Sequence, residues 1–184
     1  MKKIPIITIV GYSNSGKTRC TTELIENLTK RGYRIASAKH CHDDFDLDVE
    51  GKDSWKHSQA GAVTSIMSGK NRVGVVAKTG SRISLREICD RYAGRVDLLL
   101  AEGYSFESYP KILVAGAKTL AEERIVKISD IIAVVVSSAF ECGSIVKFDF
   151  SAIYRLADLL EHAYLSPEQF ERREMLSFSE AFSQ

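Results

Sequence analysis

Eight consecutive residues of this chain have the types and spacing to do chemistry on a phosphate: Gly11, Tyr12, Ser13, Asn14, Ser15, Gly16, Lys17 and Thr18. A glycine, four residues and then Gly-Lys-Thr is the pattern of a phosphate-binding loop. The two glycines admit backbone turns that a Cβ would obstruct. The N–H groups between them, with the N-terminus of a following helix, form a concave nest for anionic oxygens. Lys17 can then reach β- and γ-phosphates, and the Thr18 hydroxyl can ligate Mg²⁺. The flanks agree. The apolar run Ile4 to Val10 precedes the loop, and Thr18 to Lys30 reads as a helix with Leu24, Ile25 and Leu28 on one stripe. The loop predicts a bound nucleoside phosphate.

Other elements must position that loop. Ile35 to Lys39 is a short strand after a helix stop at Gly32. His40 to Lys52 is a polar loop with four aspartates and one glutamate. Asp53 caps a short helix through Ala60, with Gly61 as its stop. Val63 to Met67 and Val73 to Lys78 are β-rich runs about a hairpin turn at Ser68 to Asn71. Ser84 and Glu87 form a capping box for the helix that follows. Asp97 to Glu102 is nearly all apolar, hence a central strand covered on both faces. Lys111 to Ala115 and Ile131 to Val136 are further strands, and helices follow at Ser151 to Ala163 and from Pro167 onward. Strands alternating with helices predict an α/β domain with a mostly parallel sheet, made mixed by the hairpin.

Ligands of such a sheet gather outside the carboxyl ends of its strands. Five steps along a strand separate Asp97 from Glu102 by about 16 Å. Glu102 therefore faces the phosphates, near Mg²⁺ or its water shell and beside the permissive Gly103, and Asp97 lies at the far end. Asp48 to Gly51 spells Asp-x-x-G, the form of a switch in which the aspartate reaches Mg²⁺ through water; Asp53 competes for that role. Lys39 either neutralises phosphate charge or is simply a strand-end cation. His40, Cys41 and His42 carry zinc- or nickel-type donors, yet no second pair has supporting spacing, so a polar loop is the alternative. Cys20 reads as core packing.

The 184 residues are expected to form one domain with a core of its own. A net charge of +1 argues against nucleic-acid binding through a basic face. Cys20, Cys41, Cys89 and Cys142 are scattered without paired spacing, which suits a reducing compartment. The opening MKKIPIITIV imitates a signal peptide but runs into the loop without a cleavage site. No apolar run is long enough for a bilayer, so a cytoplasmic protein without membrane contact is expected.

Three segments together resemble the MobB family, the molybdopterin-guanine dinucleotide biosynthesis adaptor proteins. They are IVGYSNSGKTRCTTELIENL, AKHCHDDFDLDVEGKDSWKHSQAGA and DLLLAEGYSFESYPKILV. The middle one is the most telling, with its lysine-histidine opening, GKDSW run and AGA ending in order. One departure is visible, Cys41 then His42-Asp43 where the family often has an acidic residue and paired histidines. The resemblance implies a P-loop NTPase fold and a homodimer that binds GTP with Mg²⁺ and hydrolyses it weakly. It implies assistance to the guanylyltransferase MobA and contact with the insertion protein MoeA. Gly11 to Thr18 would hold the phosphates, with Lys17 and Glu102 in the catalytic roles and Thr18, Glu102 and Asp48 at the metal. The sequence lacks an Asn-Lys-x-Asp base-reading motif, so guanine rests on the resemblance. Two alternatives stay open: a small-metabolite kinase using Arg82, Arg86, Arg91 and Arg95, and a metal-delivery GTPase using His40, Cys41 and His42.

Overall fold

The computed structural model describes residues 3–41, 45, 48–115, 129–136 and 145–165. The helix expected from Pro167 onward, His42 and Cys142 lie outside them. In chain order the elements are β1 (Ile6–Val10), α1 (Lys17–Lys30), β2 (Ile35–Lys39), α2 (Asp53–Gln59), β3 (Thr64–Ser68) and β4 (Val73–Ala77). Then come α3 (Leu85–Tyr92), β5 (Leu98–Glu102), β6 (Lys111–Ala115), β7 (Ile131–Val136), β8 (Lys147–Asp149) and α4 (Ile153–Tyr164). The chain divides into two compact units, one of residues 1–40 with 85–184 and one of residues 41–84.

The first unit is built on a six-stranded sheet in the order β2-β5-β1-β6-β7-β8, each neighbouring pair parallel. β1, β5 and β6 are buried along their whole length, which is why their sequences are apolar without alternation. Successive side chains nonetheless point to opposite faces. Ile7 and Ile9 pack with Leu24, Leu28, Leu156 and Leu160 of α1 and α4. Ile6 packs with Leu99, Leu85 and Cys89 of β5 and α3. Fully buried leucines such as Leu24 and Leu28 each contribute roughly 2 kcal/mol by leaving water. α1 ends where expected, with Gly32 at φ +88° and Tyr33 N–H donating to the Leu28 carbonyl at 3.1 Å.

Details of several elements differ from the sequence reading. β8 was not expected: three residues carry no readable period, and only its pairing with β7 defines it. α4 starts at Ile153 after a single 3₁₀ turn, Phe150–Ala152. Asp53 is the first residue of α2 rather than its cap; extended Lys52 stands in the capping position without a side-chain bond.

In the second unit β3 and β4 form the expected hairpin, closed by Gly69 N–H donating to the Arg72 carbonyl at 2.8 Å. It is a two-stranded sheet of its own, so the six-stranded sheet is not mixed. Ser65 faces α2 and hydrogen-bonds Ser54 and Ser58. The opposite face, with Ile66, Val73 and Val75, is exposed. Among the described residues no helix is long and apolar enough to cross a membrane.

Candidate functional site

The phosphate-type loop leaves β1 at its carboxyl end and enters α1 through two glycines in conformations that L side chains rarely adopt. Gly11 has φ +151° and Gly16 φ +100°; Asn14 between them is left-handed at +61°, which a short amide side chain tolerates. The approach at Gly11 leaves no room for a side chain. A Cβ there would lie 2.3 Å from the Val114 carbonyl oxygen and 2.8 Å from Ser15 Oγ. Ser15 N–H closes the turn onto the Tyr12 carbonyl at 3.2 Å. Ser15 Oγ is buried with no hydrogen-bond partner among the described residues. α1 opens on Gly16 without a side-chain cap and without an acidic residue in its first turn. Uncapped first-turn N–H groups and the helix dipole favour an anion at that end. A buried orphan hydroxyl, a cradle that a Cβ would fill and an uncapped helix mouth all fit a phosphate chain.

Lys17 folds back over the loop, its Nζ donating to the Tyr12 carbonyl at 2.6 Å. Burial lowers its pKa below the ordinary lysine value, opposed by the Glu102 carboxylate and reinforced by Lys39. Thr18 Oγ1 donates to the Glu102 carboxylate, 2.9 and 3.0 Å from its two oxygens. Glu102 is only 8% exposed and also pairs with a cation, Lys39 Nζ at 3.4 Å. The sheet register explains the pair, because Lys39 and Glu102 are partners across β2 and β5. The main chain around Glu102 is clamped from both sides. His40 N–H donates to its carbonyl, and Gly103 N–H donates to Ile9 O, both at 2.9 Å. Gly103 (φ +90°) carries the chain away, its missing Cβ 3.1 Å from His40 Cβ.

Thr18, Lys17, Lys39 and Glu102 are thus gathered where β2 and β5 end and α1 begins, and oxygen donors of this hardness suit Mg²⁺ as the cations suit phosphate. Asp97, at the start of β5, is occupied elsewhere: its carboxylate accepts from Arg34 N–H at 2.8 Å. Asp48 and Asp53 belong to the second unit, where Asp53 pairs with Lys56 on α2 at 3.5 Å. Among the described residues no three His, Cys, Asp or Glu side chains are grouped to hold a metal ion by themselves. One neighbour of the loop carries no signal in the sequence. Phe150 packs on Gly16, 2.8 Å from where a Cβ would stand, and Arg19 lies over its ring.

The family model described as Molybdopterin guanine dinucleotide synthesis protein B matches residues 6–137. The molybdopterin-guanine dinucleotide biosynthesis adapter protein of Haemophilus influenzae is 37% identical over 113 residues, 61% of this chain and 64% of that protein. The chain thus spans somewhat less than two thirds of that relative's length. The protein of the same name from Escherichia coli is 33% identical over 128 residues, 67% of this chain and 73% of that one. Among solved structures, a molybdopterin-guanine biosynthesis protein B superposes with a TM-score of 0.68 at 26% identity, covering 84% of this chain and 97% of the other. Bacillus subtilis MobB superposes at 0.69 and 23% identity, covering 85% and 96%, and so supports the P-loop NTPase fold. With the family model matched from β1 to just past β7, phosphate loop and Glu102 included, the chain belongs to the MobB family.

Proposed function

We propose that the chain is an adapter in molybdopterin-guanine dinucleotide biosynthesis that binds GTP with Mg²⁺ and hydrolyses it slowly. The observation that carries the reading is the contact between the Thr18 hydroxyl and the Glu102 carboxylate at the mouth of the uncapped loop. Loop amides and Lys17 would hold the phosphates; Thr18 and Glu102 would hold the metal directly or through its water. Bound Mg²⁺ supplies charge neutralisation to the β- and γ-phosphate oxygens. The sequence also nominates Asp48 for a water-mediated role there, read by the Mg²⁺ dependence of an Asp48→Asn variant. Guanine is favoured because the relatives are named for a guanine dinucleotide product.

Slow turnover follows from the roles left unfilled. No described side chain is assigned as a water-positioning glutamine or an arginine finger, and the latter supplied by a partner is worth about 10³ to 10⁵ in rate. Such a protein acts through its complexes, here a homodimer serving MobA, with MoeA as a second contact, in the cytoplasm. Two of the four arginines of the kinase alternative are engaged elsewhere: Arg86 donates to the Ile4 carbonyl at the far end of β1, and Arg91 pairs with Glu87.

Titration of GTP against ATP with Mg²⁺ tests the reading, with co-purification of MobA beside it. GTP is expected to bind more tightly, and Lys17→Ala to weaken it severely while the circular dichroism spectrum is unchanged. A clear preference for ATP, or unaltered GTP affinity in Lys17→Ala, would contradict it.

A further inference from the structure

The Thr18–Glu102 pair lies to one side of the loop. Glu102 closes β5, which neighbours β1 on one flank, whereas β6, β7 and β8 continue the sheet on the other. From that second flank the chain leaves β8 and enters the 3₁₀ turn Phe150–Ala152. The Ser151 hydroxyl donates to the Asp149 carboxylate within the turn, and the turn brings the Phe150 ring onto Gly16, where a Cβ would stand 2.8 Å from its tip. Arg19 rises from the first turn of α1 and lays its guanidinium on that ring, Cζ 4.4 Å from the centroid. Its Nε donates to Glu23 Oε1 at 2.7 Å, which sets the plane of the group. The Arg19 side chain is still 61% exposed, so one face of the guanidinium meets phenyl and most of the group meets solvent.

We propose that the Arg19–Phe150 stack is the platform for the base of the bound nucleotide. The proposal rests on the phosphate-loop reading and extends it. With the β- and γ-phosphates drawn to the Thr18–Glu102 side, the α-phosphate and nucleoside leave the loop on the opposite side, the side from which Phe150 arrives. A planar, weakly hydrated cation is suited to lie against an aromatic base, and a phenyl ring behind it holds it flat. Phe150 and Glu23 position Arg19, which makes the contact. Every base offers a π-face, so the platform strengthens binding of the nucleoside without choosing guanine over adenine. It accounts for affinity beyond the phosphates in a chain with no Asn-Lys-x-Asp motif.

Calorimetric titration with Mg²⁺ of the full-length wild type, Arg19→Lys, Arg19→Ala and Phe150→Leu, against GTP and inorganic tripolyphosphate, tests it. The wild type is expected to bind GTP more tightly than tripolyphosphate. Arg19→Lys keeps the charge and loses the plane, so GTP affinity should fall about tenfold with tripolyphosphate unchanged. Phe150→Leu should shift GTP in the same direction, and Arg19→Ala at least as far as Arg19→Lys. Equal wild-type affinity for the two ligands, or loss of both in parallel in Arg19→Lys, would overturn the platform while leaving the phosphate loop standing. Wild type that binds neither ligand would overturn both.

Discussion

Replacing Gly11 by alanine puts a methyl group where the structure has least space for one. The new Cβ would stand 2.3 Å from the Val114 carbonyl oxygen and 2.8 Å from Ser15 Oγ. Val114 cannot step aside, because it is buried in the middle of β6, which is paired to β1 on one side and β7 on the other. The backbone at φ +151° adds conformational strain of about 1–3 kcal/mol. Overpacking a rigid site adds about 1–3 kcal/mol more. A loss of about 3 kcal/mol lowers the urea midpoint by roughly 1.5 M, taking a slope of about 2 kcal/mol per molar. Two alanine controls separate the contributions. At Gly94 a Cβ meets nothing within 4 Å and φ is ordinary, so the midpoint should hold. Gly61 has φ +106° and open space, so it carries the left-handed cost alone, about 1–2 kcal/mol. Urea unfolding followed by circular dichroism, with GTP titration of each variant, makes the comparison. Gly11→Ala should be the least stable of the three and the only one to lose nucleotide affinity, by tenfold or more. A Gly11→Ala protein as stable as Gly61→Ala, with GTP affinity intact, would refute the close-packed cradle.

The two ends of β5 should separate in function. Asp97→Asn weakens the acceptor for Arg34 N–H in a buried place, so unfolding free energy should drop by about 1–3 kcal/mol with GTP affinity unchanged. Glu102→Gln removes the charge facing Thr18 and Lys39, so Mg²⁺-dependent phosphate release should fall more than affinity does; equal rates would remove Glu102 from the chemistry. Alkaline stability reports on Cys20. Burial pushes its thiol from 9.0 up to about 12, helped by Glu23, so above pH 9 the unfolded chain releases a proton that the folded chain retains. Stability is complete below pH 9 and declines toward pH 12, by up to about 4 kcal/mol from this group. Cys20→Ala should flatten that decline in urea titrations between pH 8 and 10, and an unchanged slope would count against the burial.

What was legible in the sequence had local causes. The loop announced itself through glycines whose φ values are indeed positive, and the apolar runs of β1, β5, β6 and β7 gave their strands nearly to the residue. Glu102 could be placed beside the loop, and Asp97 away from it, because the direction of a parallel strand decides which end lies there. Lys39 stayed undecided for want of register; its pairing opposite Glu102 is set by two strands far apart in sequence. β8 and Phe150 carry no local signal for the same reason. Lys147–Asp149 is a strand only because β7 lies beside it, and Phe150 matters only because Gly16 has no side chain. Asp53 had the chemistry of a cap and still became the first helical residue, since extended Lys52 already occupies the capping position.

The charge at the loop shows where its pull on an anion originates. Lys39 pairs with Glu102 and Lys17, bonded to the Tyr12 carbonyl, feels the same carboxylate, leaving one net positive charge among these three side chains, and Arg19 is offset by Glu23. A magnesium-bound nucleoside triphosphate brings about two negative charges. Side-chain charge alone therefore under-compensates the ligand, and the balance must come from the loop amides and the uncapped start of α1. Those dipoles are fixed by the fold and independent of the rest of the surface, so a chain of net charge +1 needs no basic face to hold phosphate. On the proposed reading the same balance would let Glu102 sit beside Thr18 without repelling the ligand. While Lys39 is paired with it, the carboxylate would present little free charge to phosphates and could still offer an oxygen to a metal.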